Sequence, residues 1–265
     1  MHRLTREVRF SVNDRPDDQL SGKPSNSYAG FPSMRGFGRY FDLRVTVGGE
    51  LDPESQYLVN IKKIDEVVRT RAIPLVESAV RGGEPRTPET LVAALVERVA
   101  AAWLPLLLEE LSLTTSPFLS YAHVATEPHM VRLSQKFEFS ATHRLHNPAL
   151  TEEENCRVYG KCNNPHGHGH NYELQVTLRG TPDPKTGVVI DVPAFERVVA
   201  SAVIDRFDHK NLNVELPEFR DVIPSVENIA RVIYGLLKPK IAEAGSELSG
   251  VTVWETPKTW CEYSE

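Results

Sequence analysis

The sequence has little cysteine, no long apolar run and no excess of positive charge. Its three cysteines among 265 residues, Cys156, Cys162 and Cys261, lack the spacing of a disulfide framework, so we expect free thiols and a reducing, cytoplasmic location. No apolar stretch approaches the ~20 residues that span a membrane, and the first residues lack the apolar core of a secretory signal. We therefore expect no membrane as partner, and because the formal net charge is -6, we expect no nucleic acid either.

An internal repeat indicates how the chain is divided. The length suits one large domain or two of ordinary size, and 40% hydrophobic with 25% charged residues is typical of a globular protein. The aligned segments are 36–47 with 167–178, 52–68 with 183–199, and 87–91 with 225–229. We therefore predict two repeats of one unit, residues 1–128 and 129–265, joined by a short connection near Pro128.

Each repeat is predicted to run strand, strand, helix, helix, strand, strand. The strands expected in the second repeat are 130–142, 169–180, 251–255 and 259–263. One helix is expected to begin near Pro193, and a second after Ser225, a good N-cap with Glu227 in the positive first turn. In the first repeat, we expect Pro105 to kink or break the apolar run that reaches Leu111. This order predicts an α+β fold in which the helices cover one face of an antiparallel sheet.

The centre of the second repeat is a run of histidines at alternate positions. His168 and His170 open an alternating strand, and residues i and i+2 of a strand point to the same face, so they can offer two imidazoles to one point. His143, at the end of another alternating run, is the third predicted ligand. Three protein ligands with an open position are typical of catalytic zinc, although copper, nickel and iron also accept imidazoles.

Three further features of the second repeat could take part in catalysis or substrate binding. The Cys162 thiol could become a nucleophile or base if nearby positive charge lowers its pKa, or it could be an inert structural cysteine. The carboxylate of Asp208 beside His209 could orient the imidazole for proton transfer, or the two could be an ordinary surface pair. Glu255, near a strand end, could accept two parallel hydrogen bonds from a ring that carries N–H beside NH2. A lone glutamate there is more often simply exposed to solvent.

His166 leaves two ways to match the spacing. The pattern Cys…His-Gly-His fits Cys162 with His166 and His168, or Cys162 with His168 and His170. The strand and the ungapped repeat favour the second match. We therefore predict that His166 is a neighbour of the metal site, in contact with a ligand or with phosphate.

The first repeat is predicted to lack the metal site. The pairs at equivalent positions are Phe37 for His168, Arg39 for His170, Phe31 for Cys162, Asp14 for His143, and Glu77-Ser78 for Asp208-His209. Its apolar pattern persists, so we expect this repeat to fold and to have a structural or interfacial role.

Taken in order, these segments resemble the 6-pyruvoyltetrahydropterin synthase family. The matching segments are 139–145, 159–165, 168–172, 208–212, 227–230 and 255–256. The family has the tunnelling fold, or T-fold, an antiparallel four-stranded sheet with two helices on one face, and its subunits join their sheets into barrels. The resemblance implies two tandem T-fold units per chain, the first degenerate. It also implies a homo-oligomer, in which three chains would form a pseudo-hexamer.

The resemblance also implies an activity. A carbon–oxygen lyase acting on phosphate would convert 7,8-dihydroneopterin triphosphate into 6-pyruvoyltetrahydropterin, for tetrahydrobiopterin biosynthesis. Zn²⁺ would be held by His143, His168 and His170. Cys162, Asp208 and His209 would be catalytic, and Glu255 and Glu227 would bind the substrate.

Two alternatives stay open. A match through His166 would suit 6-carboxytetrahydropterin synthase of the queuosine pathway. The other alternative is an assembly protein that binds zinc and pterin without turnover. Retention of Cys162, Asp208 and His209 beside the metal ligands favours the enzyme.

Overall fold

The computed structural model describes residues 1–13 and 36–265. The predicted counterparts Asp14 and Phe31 lie outside these residues. The chain forms two compact units, the first comprising Met1–Leu133 with Gly180–Val189 and the second comprising Ser134–Arg179 with Ile190–Glu265. Across the described ranges, no helix combines the length and apolarity needed to cross a bilayer.

The first unit contains an antiparallel sheet and helices. The strands are β1 (His2–Val12), β2 (Arg39–Gly49), β3 (Leu107–Ser116) and β4 (Leu119–Val124), and the helices are α1 (Ile61–Val67), α2 (Ile73–Val80) and α3 (Pro88–Val99). These strands neighbour one another in chain order. Leu43 of β2 lies opposite Val8 on one side and Leu113 on the other, and all three are fully buried. This row of apolar side chains forms the centre of the core.

The start and end of α3 follow from local sequence. Thr87 is the N-cap, and its side chain accepts the N–H of Thr90, while Pro88 occupies the first turn. The helix ends at Val99 and a short tighter turn reaches Trp103. The helix therefore ends six residues before Pro105, where a kink or break was predicted. Leu107–Leu111 belong to β3 rather than to a kinked helix.

The second unit repeats this order with extra short elements. In chain order its elements are β5 (Val131–His143), α4 (Glu152–Tyr159), β6 (His168–Gly180), α5 (Val192–Val199), α6 (Asp205–Phe207), β7 (Lys210–Asn211), α7 (Leu212–Glu215), α8 (Val226–Glu243), β8 (Glu247–Thr256) and β9 (Thr259–Tyr263). The sheet order is β5-β6-β8-β9, and β7 pairs in parallel with β5. The predicted α+β class with an antiparallel sheet is confirmed, as is Ser225 as the N-cap of α8. The tandem T-fold assignment and the boundary at 128 stay predictions.

Two details differ from the sequence expectation. Helix α4 was not predicted, although Thr151 and Glu154 form a reciprocal capping box at its start. Glu77 and Ser78 lie inside α2, whereas Asp208 follows α6 and leads towards β7. The alignment of 77–78 with 208–209 is therefore wrong, because the second repeat leaves its helix earlier there.

Candidate metal centre

Three histidines meet where β5 ends and β6 begins. His143 is the last residue of β5, and His168 and His170 are the first and third residues of β6. One nitrogen of each ring lies within 4.8 Å of the others. His143 Nε2 and His168 Nε2 are 3.1 Å apart, near the ~3.3 Å between two nitrogens bound to one tetrahedral zinc. Among the described residues, this predicted trio is the group whose side chains can hold a metal ion.

Hydrogen bonds leave suitable nitrogens available for a metal. The Nδ1–H of His143 donates to the carbonyl oxygen of Pro224 at 2.7 Å, so Nε2 keeps its lone pair, and such a bond is how metal-binding histidines are usually oriented. His170 hydrogen-bonds the backbone of Glu255, and its buried Nε2 has no hydrogen-bond partner in the described part of the chain. Leaving a buried polar atom unpaired is costly. A bound metal ion removes this cost, so the donor set fits a metal.

Burial favours the neutral form of His143 and His170. It lowers the pKa of His143, against a hydrogen bond to Pro224 and the carboxylate of Glu255, which raise it. It also lowers the pKa of His170, again against the effect of Glu255. Because a metal binds the neutral form, both rings are ready to bind an ion near neutral pH.

Glu255 lies beside the histidines. Its Oε1 is 3.3 Å from His143 Nε2 and 3.6 Å from His170 Nε2, and its side chain is 20% exposed. The pairing of β8 with β6, with Trp254 opposite Glu173, brings it there. Its predicted role in substrate binding stays a prediction. The geometry adds that this carboxylate borders the metal position and remains partly accessible.

Tyr172 belongs to this centre but was not predicted as a site residue. It is 1% exposed, and its hydroxyl is 3.5 Å from His143 Nδ1. Burial raises its pKa, and the nearby Glu255 and Cys162 raise it further, so the phenol stays protonated. The signal was its position two residues after His170, on the same face of β6.

Cys162 lies in a hydrogen-bonded turn, close enough to Tyr172 to raise the pKa of that phenol. Cys162 lies in the turn Gly160–Asn163 that follows α4, and its carbonyl accepts the N–H of Leu145 at 2.9 Å. The next residue, Asn163, is 3% exposed. The Nε–H of Arg144 donates to its backbone carbonyl, and its amide donates to Glu152. Sequence reasoning missed Arg144 and Glu152 as supports, because their separations from Asn163 follow no period.

Asp208 and His209 form a pair at the β5 side of the sheet. Asp208 Oδ1 accepts the N–H of Ser140 at 2.8 Å, and its Oδ2 lies 2.8 Å from His209 Nδ1. The first of these bonds, then the second, lowers the pKa of Asp208. His209 is 82% exposed, and neither side chain hydrogen-bonds a trio histidine within the residues described. However, His209, Lys210 and His170 line one cleft of about 540 Å³.

The other two predicted neighbours lie at the margin. Glu227 is exposed in the first turn of α8, three residues after Pro224. His166 is exposed in the turn before β6, where its N–H donates to Asn164. Their roles stay predictions.

In the first unit, two described residues align with the histidines of β6, and their side chains cannot bind a metal ion. Phe37 is 95% exposed, and Arg39 begins β2 with an exposed side chain. Neither can take the place of a neutral imidazole.

Known proteins are similar to the second half of this chain. A sequence model of the family described as 6-pyruvoyl tetrahydropterin synthase matches residues 132–265. Human 6-pyruvoyl tetrahydrobiopterin synthase is 42% identical over 125 residues, covering 47% of this chain and 85% of that protein. The 6-carboxy-5,6,7,8-tetrahydropterin synthase of Haemophilus influenzae is 28% identical over 156 residues, covering 51% and 100%. A solved structure of Caenorhabditis elegans 6-pyruvoyl tetrahydropterin synthase has 38% identity and a TM-score of 0.49, covering 51% and 96%.

Proposed function

Because this chain belongs to the 6-pyruvoyl tetrahydropterin synthase family, we propose that it converts 7,8-dihydroneopterin triphosphate into 6-pyruvoyltetrahydropterin and triphosphate. The reaction is a carbon–oxygen lyase reaction. The observation that carries the proposal is the convergence of three imidazoles, His143, His168 and His170, with one nitrogen of each within 4.8 Å of the others. The 42% identity over 85% of the human enzyme supports it.

Zn²⁺ is the metal that this donor set suits best. Three neutral nitrogen donors are typical of catalytic zinc, and two of them already have a suitable separation. Bound there, zinc would supply Lewis-acid polarisation of a substrate hydroxyl. The bond from His143 to Pro224 would keep that ring in the binding tautomer.

Protons would be moved by Cys162 and by the Asp208–His209 pair. A thiolate at Cys162 would accept a proton from the substrate side chain. The low pKa of Asp208 keeps its carboxylate charged beside His209 Nδ1, so Nε2 of that ring is available for proton exchange. The cleft shared by His209 and His170 supports a role on one substrate.

Glu255 would hold the pterin ring. A carboxylate can accept two parallel hydrogen bonds from the N–H and NH2 edge of a pterin. Its position beside His143 and His170 would then set the distance between ring and metal. Glu227, at the exposed start of α8, would contribute a second carboxylate.

One comparison supports an alternative product. The similarity to the Haemophilus influenzae 6-carboxy-tetrahydropterin synthase covers that whole protein, so 6-carboxytetrahydropterin would be the alternative product at the same site. Retention of Cys162, Asp208 and His209 speaks against a binding protein without turnover. The three free cysteines support a reducing, cytoplasmic location.

Product analysis tests this function. Zinc-loaded protein is incubated with 7,8-dihydroneopterin triphosphate, and the pterin is identified by mass. The 6-pyruvoyl product is expected. A 6-carboxy product would move the assignment to the alternative, and no product from zinc-loaded protein would contradict both.

A matched pair of cysteine variants tests the proton transfer. Cys162→Ala is expected to keep zinc and to lose about 10²–10⁴-fold in turnover. Cys156→Ala, in the exposed part of α4, is the control and should behave like the parent. Equal turnover in both variants would show that Cys162 takes no part in the proton transfer.

A further inference from the structure

The first unit contains a cleft of about 250 Å³ at one end of its sheet. The start of β2, the end of β3 and the segment that leads into α3 line this cleft. Phe41, Leu91 and Leu113 form an apolar wall, and each of them is at most 6% exposed. The cleft therefore has room for a small ligand with an apolar body.

This cleft has the place in its repeat that the candidate metal centre has in the other repeat. The pairs β2 with β3 and β6 with β8 share one register, with the irregularity at the same position. A helix cap, Thr87 or Ser225, follows at the edge of each place. The equivalent residues, with the first unit named first, are Arg39 and His170, Phe41 and Tyr172, Arg86 and Pro224, and Thr115 and Glu255.

The charge of the lining side chains is reversed between the two places. His170 and Glu255 offer lone pairs, which suit a cation. At the same positions the cleft has Arg39 and Thr115, and Arg86 adds a second guanidinium group. No acidic side chain occurs among the described residues that line the cleft. Because a guanidinium stays charged and carries only N–H donors, this lining suits an anion.

The N–H donors of both arginines are available to a ligand. The Arg39 side chain has no hydrogen bond or ion pair within the described part of the chain. Arg86 directs its Nε to Glu84 Oε1 at 2.7 Å, and both side chains are largely exposed, so its terminal nitrogens keep their donors. The Thr115 hydroxyl donates to the carbonyl oxygen of Leu119 at 3.2 Å. The two guanidinium groups are therefore the groups that can bind an anion.

We propose that this cleft binds a small phosphate monoester, whose phosphate group contacts Arg39 and Arg86 and whose apolar part packs on Phe41 and Leu91. A phosphate group carries about -1.5 to -2 charges at pH 7, which two guanidinium groups balance. Its oxygens accept the paired N–H groups of an arginine in a bidentate contact. The ligand binds in the repeat that lacks the three histidines, so this site is separate from the proposed catalysis.

Calorimetric titration of the zinc-loaded full chain with phenyl phosphate tests this site without any turnover. The parent should bind it saturably, and Arg39→Gln with Arg86→Gln should weaken binding at least about tenfold. Arg71→Gln removes another exposed arginine of the first unit and should bind like the parent. No saturable binding by the parent, or equal affinity in the double variant, would overturn the proposal. A tenfold loss in Lys210→Gln instead would place the phosphate in the second unit and would also overturn it.

A matched pair at Thr115 separates charge from folding defects. Both Thr115→Glu and Thr115→Gln lose the hydrogen bond to Leu119, but only the first places in the cleft the carboxylate that Glu255 has in the second unit. Thr115→Glu should bind phenyl phosphate about tenfold more weakly than Thr115→Gln, with the same circular dichroism. Equal affinities in these two variants would overturn the anion site.

The choice of ligand tests the two parts of the cleft. Inorganic phosphate lacks the apolar body, and benzoate has the body with a single negative charge, so both should bind more weakly than phenyl phosphate. Inorganic phosphate that binds as tightly as phenyl phosphate would show that the wall of Phe41 and Leu91 takes no part. Benzoate that binds more tightly would overturn the choice of a phosphate over a carboxylate.

Discussion

The two repeats have the same kind of strand core but different chemistry at the start of the strand. The fully buried residues are Leu43, Val45 and Val47 in β2, and Leu174, Val176 and Leu178 in β6. On the same faces, earlier in each strand, Arg39 and Phe41 stand where His170 and Tyr172 lie. The core is therefore supplied by one part of a strand face and the candidate metal ligands by another. This separation allows the sheet to form whether or not those histidines are present.

A second difference concerns charge. In the second unit, the Lys136 ammonium donates to Glu173 at 2.7 Å. At the equivalent strand positions of the first unit, Glu7 faces Asp42, and burial together with Glu7 raises the pKa of Asp42 to about 6. An ion pair in one repeat is a like-charge pair in the other, although Arg9 and Arg44 surround it. The first repeat thus tolerates an unfavourable pair that the second repeat avoids.

The largest expected effect comes from giving the second repeat the residues of the first. His168→Phe combined with His170→Arg removes two of three ligands, so zinc should fall from one ion per chain to none. Plasma mass spectrometry after dialysis against zinc measures this. Phe37→Ala, at a 95% exposed position, is the control and should bind one zinc. Zinc retained by the double variant would contradict the assigned site.

The next effect tests whether the cores are equivalent. Leu43→Ala and Leu174→Ala each remove a fully buried side chain and should each cost about 2–5 kcal/mol of unfolding free energy. Denaturant titration followed by fluorescence measures the loss. A cost below about 1 kcal/mol at Leu43 alone would mean that the first repeat has no comparable core.

A smaller effect depends on pH. The pKa of Asp42 in the folded chain, about 6, exceeds its unfolded value near 3.9. Between these values the folded chain keeps a proton that the unfolded chain releases, so this residue lowers stability as pH rises. Asp42→Asn should therefore stabilise the protein by about 1–2 kcal/mol above pH 6 and change little near pH 4. Denaturation at both pH values checks this.

The matched control for this pH effect lies in the other repeat. Glu173→Gln removes the ion pair with Lys136 and should destabilise by at most about 1 kcal/mol. Stabilisation of the same size by both variants would contradict the charge comparison.

The smallest effect concerns the phenol beside the metal. Tyr172→Phe gives the second repeat the residue found at Phe41 and removes a hydroxyl 3.5 Å from His143. Because this contact is long, the loss of unfolding free energy should stay below about 1 kcal/mol, and zinc should still bind. Thermal denaturation and a zinc competition assay measure both. Loss of zinc would show that the hydroxyl holds His143 in place.

Local patterns predicted most of the fold and the convergence of the three histidines. The alternation in β6 placed His168 and His170 on one face, and the capping serine marked the start of α8 within one residue. Such signals act over a few residues, so they can be read along the chain. The helix α4 had such a signal in Thr151 and Glu154, which the sequence analysis overlooked.

Long-range contacts could not be predicted in this way. The Pro224 carbonyl lies 81 residues from His143, and any residue could supply a carbonyl there. The supports of Cys162 also depend on a turn whose path follows from packing. The assignment of Gly180–Val189 to the first unit has no sequence signal, because the hydrogen bonds of this segment to Thr87 and Glu89 use its backbone groups.

The bond between the His143 ring and the Pro224 carbonyl links the metal position to the start of α8. An ion that holds His143 would also fix Pro224, the residue before the N-cap of that helix. Any ligand whose affinity depends on the position of this first turn would then be coupled to the metal, and each would change the affinity of the other by the same factor. Removal of the metal should loosen the first turn of α8, and amide hydrogen exchange there would report this change.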